Sequence, residues 1–279
     1  MRKVGLVIDS TFSVDPAYAK QHNITVVPLK VLIDDKEFVD GQIDPQLVVE
    51  ALKLKKDVKT SQPSPEAFLK AYEEQLETYE SVLCLTISKQ LSGTNNSATL
   101  GQTILENKKV AVVDSETTIN GGAYLTEKMI EFFDQGHTLQ EGLAHLEDLK
   151  SKGSIIFTID NLQTLVKSGR IGKVQAVIGN VLKVKPILRF KQGVLELEHK
   201  VRSVPSVLAY LVKEVEKLLA FGKVVVRIAY VDHTTFAKQL EHDIFQLGDK
   251  IAVKITGVIS PVVSAHVGLG GLGVYMAYE

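Results

Sequence analysis

Cysteine is almost absent: Cys84 alone in 279 residues excludes an intramolecular disulfide and a cysteine-based zinc cluster. It lies inside the apolar run Val82 to Ile87, which fits a reducing, cytoplasmic compartment. Net charge is nearly absent too. The 32 Lys and Arg stand against 33 Asp and Glu, a formal net charge of -1, so no global field draws the chain to nucleic acid or anionic lipid. The longest stretch free of charged side chains, Ile255 to Tyr278, is broken by Gly257, Gly268, Gly270, Gly271, Gly273 and Pro261. Such a stretch makes a poor membrane helix and reads as strand, Gly-rich loop and strand. At the other end, the apolar run Val4 to Ile8 after Met1-Arg2-Lys3 reaches Asp9 too soon for a signal peptide and reads as a first strand. No Pro-rich or Ser-rich linker and no low-complexity tract interrupts the chain. The seven histidines show no H-x-x-x-H spacing, so a metal site has little support.

What is present is alternation. Strand-like runs at Val4 to Ile8, Thr25 to Leu32, Val82 to Ile87 and Val110 to Val113 are separated by helical patterns, among them Pro65 to Glu77 and Gly121 to Phe133. This pattern predicts crossover units on a parallel sheet. From Ile155 onward strands dominate, at Ile155 to Ile159, Val184 to Phe190, Val194 to Glu198, Val224 to Val231, Ile251 to Ile259 and Gly273 to Ala277. Lys191-Gln192-Gly193 reads as a hairpin turn. The expected fold class is α/β, with an N-terminal parallel-sheet domain over residues 1–150 and a C-terminal mixed or antiparallel-sheet domain over 151–279. The boundary is placed in Lys150-Ser151-Lys152-Gly153-Ser154.

Several loops carry polar chemistry. Asp9-Ser10-Thr11, Thr86-Ile87-Ser88 and Asp114-Ser115 each end an apolar strand, where open parallel sheets place ligands, and together suggest one polar pocket floor. Asp9 and Asp114 equally suit helix capping or loop ordering, the commoner use of these residues. In Lys59-Thr60-Ser61-Gln62-Pro63-Ser64-Pro65, Ser64 and Pro65 start a helix, which leaves Thr60 and Ser61 as an exposed hydroxyl pair on a rigid or a binding loop. Leu91-Ser92-Gly93-Thr94 leads into a helix, where Ser92 and backbone N–H groups either receive an anionic oxygen or cap the helix. His266, in a glycine-rich setting, is a candidate donor to a carboxylate. A hydrolase using Ser92 and His266 is the alternative, although the G-x-S-x-G elbow, an orienting Asp and a phosphate-cradling glycine loop are all missing. Lys167-Ser168-Gly169-Arg170-Ile171-Gly172-Lys173, followed by Lys183, Lys185, Arg189, Lys200 and Arg202, is either a solvated face or a docking patch. Arg170 is its strongest candidate for gripping an anion, since a guanidinium binds two oxygens at once.

In order, Asp9-Ser10-Thr11, Thr60-Ser61-Gln62-Pro63-Ser64, Leu91-Ser92-Gly93-Thr94, Val113-Asp114-Ser115, Gly169-Arg170-Ile171-Gly172-Lys173, Lys185-Pro186-Ile187-Leu188 and His266-Val267-Gly268 closely resemble the DegV family of bacterial fatty-acid-binding proteins. The resemblance spans residues 3–278. It implies two α/β domains enclosing a long-chain fatty acid, palmitate-like or oleate-like, with no other cofactor. It further implies that Thr60 and Ser92 hydrogen-bond the carboxylate with His266 nearby, and that Ser61 and Gly93 contribute. By the same resemblance the chain is not an enzyme itself but an acyl-binding subunit serving phospholipid metabolism. An ATP-dependent fatty acid kinase subunit would phosphorylate the presented carboxylate, and an acyltransferase would use the acyl phosphate. Arg170 and Arg202 would form the basic surface that meets the kinase and the acyl phosphate. The competing readings are a stand-alone hydrolase, a stand-alone phosphotransferase using Ser92 and His266, and a lipid-sensing regulatory module docking a partner through the Arg170 region. Ser168, Ser260, Ala265 and Leu269 depart from the family pattern, which puts chain-length preference in question more than ligand class.

Overall fold

The computed structural model describes residues 2–106, 108–160, 162–170 and 184–279. Ile171-Gly172-Lys173 and Lys183 of the basic stretch lie outside the described residues. Four strands form an all-parallel sheet in the order β2-β1-β6-β7: β1 (Val4–Asp9), β2 (Ile24–Val27), β6 (Ser81–Thr86) and β7 (Val110–Asp114). A six-stranded mixed sheet has the order β10-β9-β8-β13-β11-β12. Its strands are β8 (Gly153–Thr158), β9 (Lys185–Lys191), β10 (Val194–Val201), β11 (Val224–Tyr230), β12 (Ile251–Val258) and β13 (Leu272–Tyr278). Only β11 and β12 pair in parallel; the other neighbours are antiparallel. The fold is therefore α/β, with a parallel sheet in the first part of the chain and a mixed sheet in the second. The stretch 150–154, where the sequence suggests a boundary, is the last turn of α6 (Leu139–Lys152) and the beginning of β8.

The helices layer these sheets. α3 (Pro65–Leu76) and α4 (Thr94–Leu105) cover one face of the parallel sheet, where Val7, Phe68, Tyr72, Cys84 and Ala98 pack together. Burial pushes the Cys84 thiol up to about 12, so it is a neutral core side chain rather than a reactive one. α5 (Ile119–Asp134) lies between the two sheets, and a helix apolar on several sides is what such a position requires. Around it Leu6, Ile8, Leu83, Met129 and Phe133 continue without a break into Ile155, Phe157, Leu188 and Tyr275. α8 (Val204–Leu218) and α9 (Thr234–Phe245) close the outer face of the mixed sheet through Val207, Leu211, Val226, Ile228 and Leu240. The short α1 (Pro16–Gln21) and α7 (Gln163–Lys167) complete the connections.

Three local expectations change. Thr25 to Leu32 is not one strand: Pro28, which has no N–H to donate, separates β2 from β3 (Lys30–Ile33). β3 leaves the parallel sheet and pairs antiparallel with β4 (Lys36–Val39) and β5 (Val58–Ser61), a third small sheet. Thr60 and Ser61 therefore sit on a strand, not in a loop. The stretch 255–278 holds a helix between its strands, α10 (Pro261–Val267), where glycine content favours a loop. Pro261 is tolerated in its first turn, and the Ser260 hydroxyl accepts from Val263 N at 3.3 Å. α10 packs with α2 (Pro45–Lys53) on the small sheet through Val31, Val48, Val262 and Ala265. The turn at Gln192-Gly193 is the expected hairpin, and φ of 50° and 77° at its two residues gives the positive pair that a two-residue turn between twisted strands needs.

Candidate functional site

The polar loops at the strand ends do not build the expected pocket floor. Their hydroxyls and carboxylates bond to one another and to backbone instead. Asp9, fully buried, accepts from Thr11 N, the Thr11 hydroxyl and Ile87 N, which seals the crevice between β1 and β6. That crevice is where a parallel sheet commonly receives a ligand. Ser10 donates to Asp40 Oδ2 at 2.7 Å, Ser88 donates to Gly193 O at 2.7 Å, and Thr86 accepts from Asn95 Nδ2 at 2.9 Å. Asp114 accepts from Glu116 N and Lys89 N, the loop-ordering role. Burial raises both Asp9 and Asp40 to about 6.

A cavity of about 280 Å³ opens beyond this floor, between the parallel sheet, the mixed sheet and α10. Its wall is mainly apolar: Leu29, Ile87, Phe157, Ile159, Leu165, Leu188, Phe190, Leu195, Val262 and Val263. Thr60, Ser61, Gln62, Ser92, Arg170 and His266 supply its polar lining together with Thr118. Thr60, Arg170 and His266 also border a cleft of about 960 Å³, so the polar end of the cavity faces outward. That cleft carries Lys55, Lys56, Lys59 and Lys167 on its rim; Lys56 pairs with Asp34 at 2.9 Å and Lys59 with Asp57 at 2.5 Å.

Residues far apart in sequence meet here. Thr60 Oγ1 and His266 Nε2, 206 positions apart, share a hydrogen bond of 2.7 Å. Side chains alternate along β5, so Val58 and Thr60 turn inward while Lys59 and Ser61 are exposed. The Ser92 hydroxyl shares a 2.8 Å hydrogen bond with Thr94 Oγ1 and accepts from Thr94 N at 3.3 Å, so it also orders the entry to α4. Gly93 does not line the cavity but backs it: a Cβ there would collide with the Gln62 side chain, which crosses that spot to donate to Ser97 Oγ at 2.9 Å. Sequence reasoning placed Gln62 inside the right motif without singling it out. The apolar wall was also missed, although Leu188 and Phe190, two residues apart on β9, share a face in a way the period of a strand makes visible.

Arg170 donates through Nε to Leu91 O at 3.3 Å and to Ser168 O through Nη1. It borders the cavity as well as the cleft, closer to His266 than a purely external docking role requires. Arg202 is exposed and lines neither space; it follows Val201, which pairs with Lys185, whose ammonium contacts Asp160 on the cleft rim. Of the family departures, Ser168 caps α7, Ser260 caps α10, Ala265 is buried beneath α2, and Leu269 borders the cleft. Among the described residues no group of three His, Cys, Asp or Glu is placed to hold a metal ion, and no helix is long and apolar enough to cross a membrane.

Burial pushes the His266 imidazole down to about 4, and the nearby Arg170 charge acts in the same direction. It is neutral at pH 7, and its buried Nδ1 has no hydrogen-bond partner. Because the folded value lies below the unfolded one, the unfolded chain binds more protons between about pH 6.5 and 4. His266 therefore contributes stability that is complete above pH 6.5 and lost as pH falls through 4. Urea unfolding of lipid-free protein and of His266→Gln should show the variant gaining about 3 kcal/mol relative to the parent between pH 7 and 4. A difference that stays constant with pH contradicts the neutral, buried imidazole.

A family model described as "Uncharacterised protein, DegV family" matches residues 3–279. The chain belongs to the DegV family. It is 31% identical over 278 residues to a DegV domain-containing protein of Staphylococcus aureus, with 98% of each chain covered. Its structure is similar to that of a fatty-acid-binding DegV family protein from Thermus thermophilus, with a TM-score of 0.92, 29% identity and complete coverage of both chains. A stearic-acid-binding protein from Eubacterium ventriosum superposes with a TM-score of 0.85 and 25% identity, covering 100% of this chain and 98% of that one. Both of these solved structures are of fatty-acid-binding proteins.

Proposed function

We propose that this chain binds a long-chain fatty acid in the 280 Å³ cavity and presents its carboxylate, toward the outer cleft, to a separate ATP-using kinase subunit. The observation that carries the reading is an apolar cavity whose polar lining includes the Ser92 hydroxyl and ends outward in the Thr60 hydroxyl and a neutral imidazole. Burying an acyl chain of roughly sixteen carbons yields about 0.8 kcal/mol per methylene, on the order of 10 kcal/mol before association costs. The chain supplies affinity. A buried, unpaired carboxylate would cost several kcal/mol, so Thr60, Ser92 and His266 supply orientation by pairing with it. Ser61 and the Gly93–Gln62 contact hold the rim of that head-group site. Arg170 and Arg202 form the surface that meets the kinase and the acyl phosphate, which a downstream acyltransferase consumes.

The hydrolase alternative lacks support in the geometry. His266 Nε2 is engaged by Thr60 rather than Ser92, and His266 Nδ1 has no carboxylate to orient it. The test is direct. Denaturing extraction of the purified protein, followed by mass spectrometry, is expected to release about one equivalent of fatty acid, with the emptied protein taking up added palmitate or oleate. No released lipid and no uptake would overturn the reading, and ester hydrolysis abolished by Ser92→Ala would replace it.

A further inference from the structure

The 280 Å³ cavity and a second, much smaller space share Phe190 in their walls. β9 runs past the cavity from its polar end inward. At its first residue the Lys185 ammonium contacts Asp160, which borders the outer cleft beside Thr60, Arg170 and His266. Phe190 lies five residues further along, and a rise of about 3.3 Å per residue puts it roughly 16 Å from that end. Leu188 and Phe190 share the cavity face of the strand, while Arg189 turns the other way to Glu198 and Glu214. Phe157 leans on the Phe190 ring, with centroids 5.8 Å apart.

Behind that ring the chemistry reverses. The space of about 60 Å³ is bordered by Glu116, Thr117, Lys150, Ser154 and Gln192, with Leu125 and Ile155 as its apolar members. The Lys150 ammonium, its side chain only 10% exposed, is held 2.7 Å from Glu116 Oε1. The Lys150 ammonium also contacts Glu147 Oε1 at 3.0 Å, so a cation paired with two carboxylates borders this space. Such a small space lined by charged and amide groups suits water, not hydrocarbon. Phe190 thus separates an apolar chamber from a polar one.

Resting on the fatty-acid reading, we infer that Phe190 is a specificity-determining residue that sets the longest acyl chain this protein accepts. A methyl end that reaches the ring has filled the apolar cavity. One more methylene must either push the ring into the polar space or lie beside the Lys150–Glu116 ion pair, and neither returns the transfer free energy that each earlier methylene contributed. The limit is chemical as well as steric.

The experiment loads parent, Phe190→Ala and Phe190→Leu with an equimolar ladder of saturated even-numbered fatty acids and reads the bound profile by mass spectrometry. Phe190→Leu keeps an apolar side chain in the core, so it answers the question even where the alanine variant folds poorly. The parent profile is expected to fall steeply above one length. In Phe190→Ala the ratio of the acid two carbons longer to the parent's favourite should rise about tenfold, the value of two methylenes, with a smaller rise in Phe190→Leu. Loaded variants with the parent's length profile overturn the role of Phe190 alone. An absence of bound acid from parent and variants alike overturns it together with the reading beneath it.

Discussion

Alanine at both Thr60 and Ser92 is expected to weaken fatty-acid binding about a hundredfold while hardly changing the affinity for the corresponding methyl ester. Each hydroxyl lines the same cavity as His266, and a hydrogen bond to a charged group contributes about 1.5–3 kcal/mol. Two such bonds share one carboxylate, so their losses do not add fully. The acyl chain still meets the same apolar wall, which is why residual binding should remain. Thr60→Ala has a further consequence: it strips His266 Nε2 of its partner when Nδ1 already has none. Displacement of a fluorescent fatty-acid analogue measures both ligands on the same protein. If acid and ester weaken equally, the hydroxyls shape the cavity rather than hold the carboxylate.

The second large effect concerns the fold that holds the cavity open. Arg227 on β11, nearly buried, makes a bidentate pair with Glu127 on α5, Nη1–Oε1 at 2.8 Å and Nη2–Oε2 at 2.6 Å. Its guanidinium also lies 5.1 Å from the centre of the Tyr124 ring. This clamp fastens the helix between the sheets to the mixed sheet. Arg227→Met leaves the Glu127 carboxylate unpaired and is expected to cost about 3 kcal/mol, the lower part of the usual range because Glu127 keeps 25% of its side-chain exposure. The melting temperature should drop by roughly 5 °C. Glu127→Met with Arg227→Met removes both charges together, and most of that loss should be regained, since apolar groups replace a desolvated pair at little cost. A double variant that melts no higher than the single one would show that packing by the Arg227 stem, not the stranded charge, sets the effect. Thermal unfolding followed by circular dichroism distinguishes the two.

Much of the site is spelled locally and was legible. Apolar runs ending in Asp-Ser announced β1 and β7, Ser64-Pro65 announced the start of α3, and Gln192-Gly193 announced a hairpin, because capping, turn geometry and strand period depend on a few neighbouring residues. The motifs that resemble the DegV family also contain Thr60, Ser92 and His266, of which the structure joins Thr60 to His266 and places Ser92 in the same cavity wall. Other features misled for equally local reasons. Glycines around α10 obscured a seven-residue helix whose stability comes from packing on α2 and the small sheet, and β-branched residues on both sides of Pro28 concealed a change of sheet. Hydroxyls at the strand ends looked available to a ligand, yet Asp9, Asp40 and Gly193 had already engaged them.

By itself, then, the amino-acid order determined the α/β class, the parallel-then-mixed succession of strands and which polar residue types were on offer, since all of these follow from periodicity and short motifs. Only the tertiary structure decided which of those residues share a wall, that Thr60 meets His266 across 206 positions, and where Phe190 stands between an apolar and a polar chamber. The reason is that a cavity is space left between packed surfaces. Its position depends on how two sheets, one buried helix and a short α10 come to rest against each other, and no local stretch of chain encodes that distance.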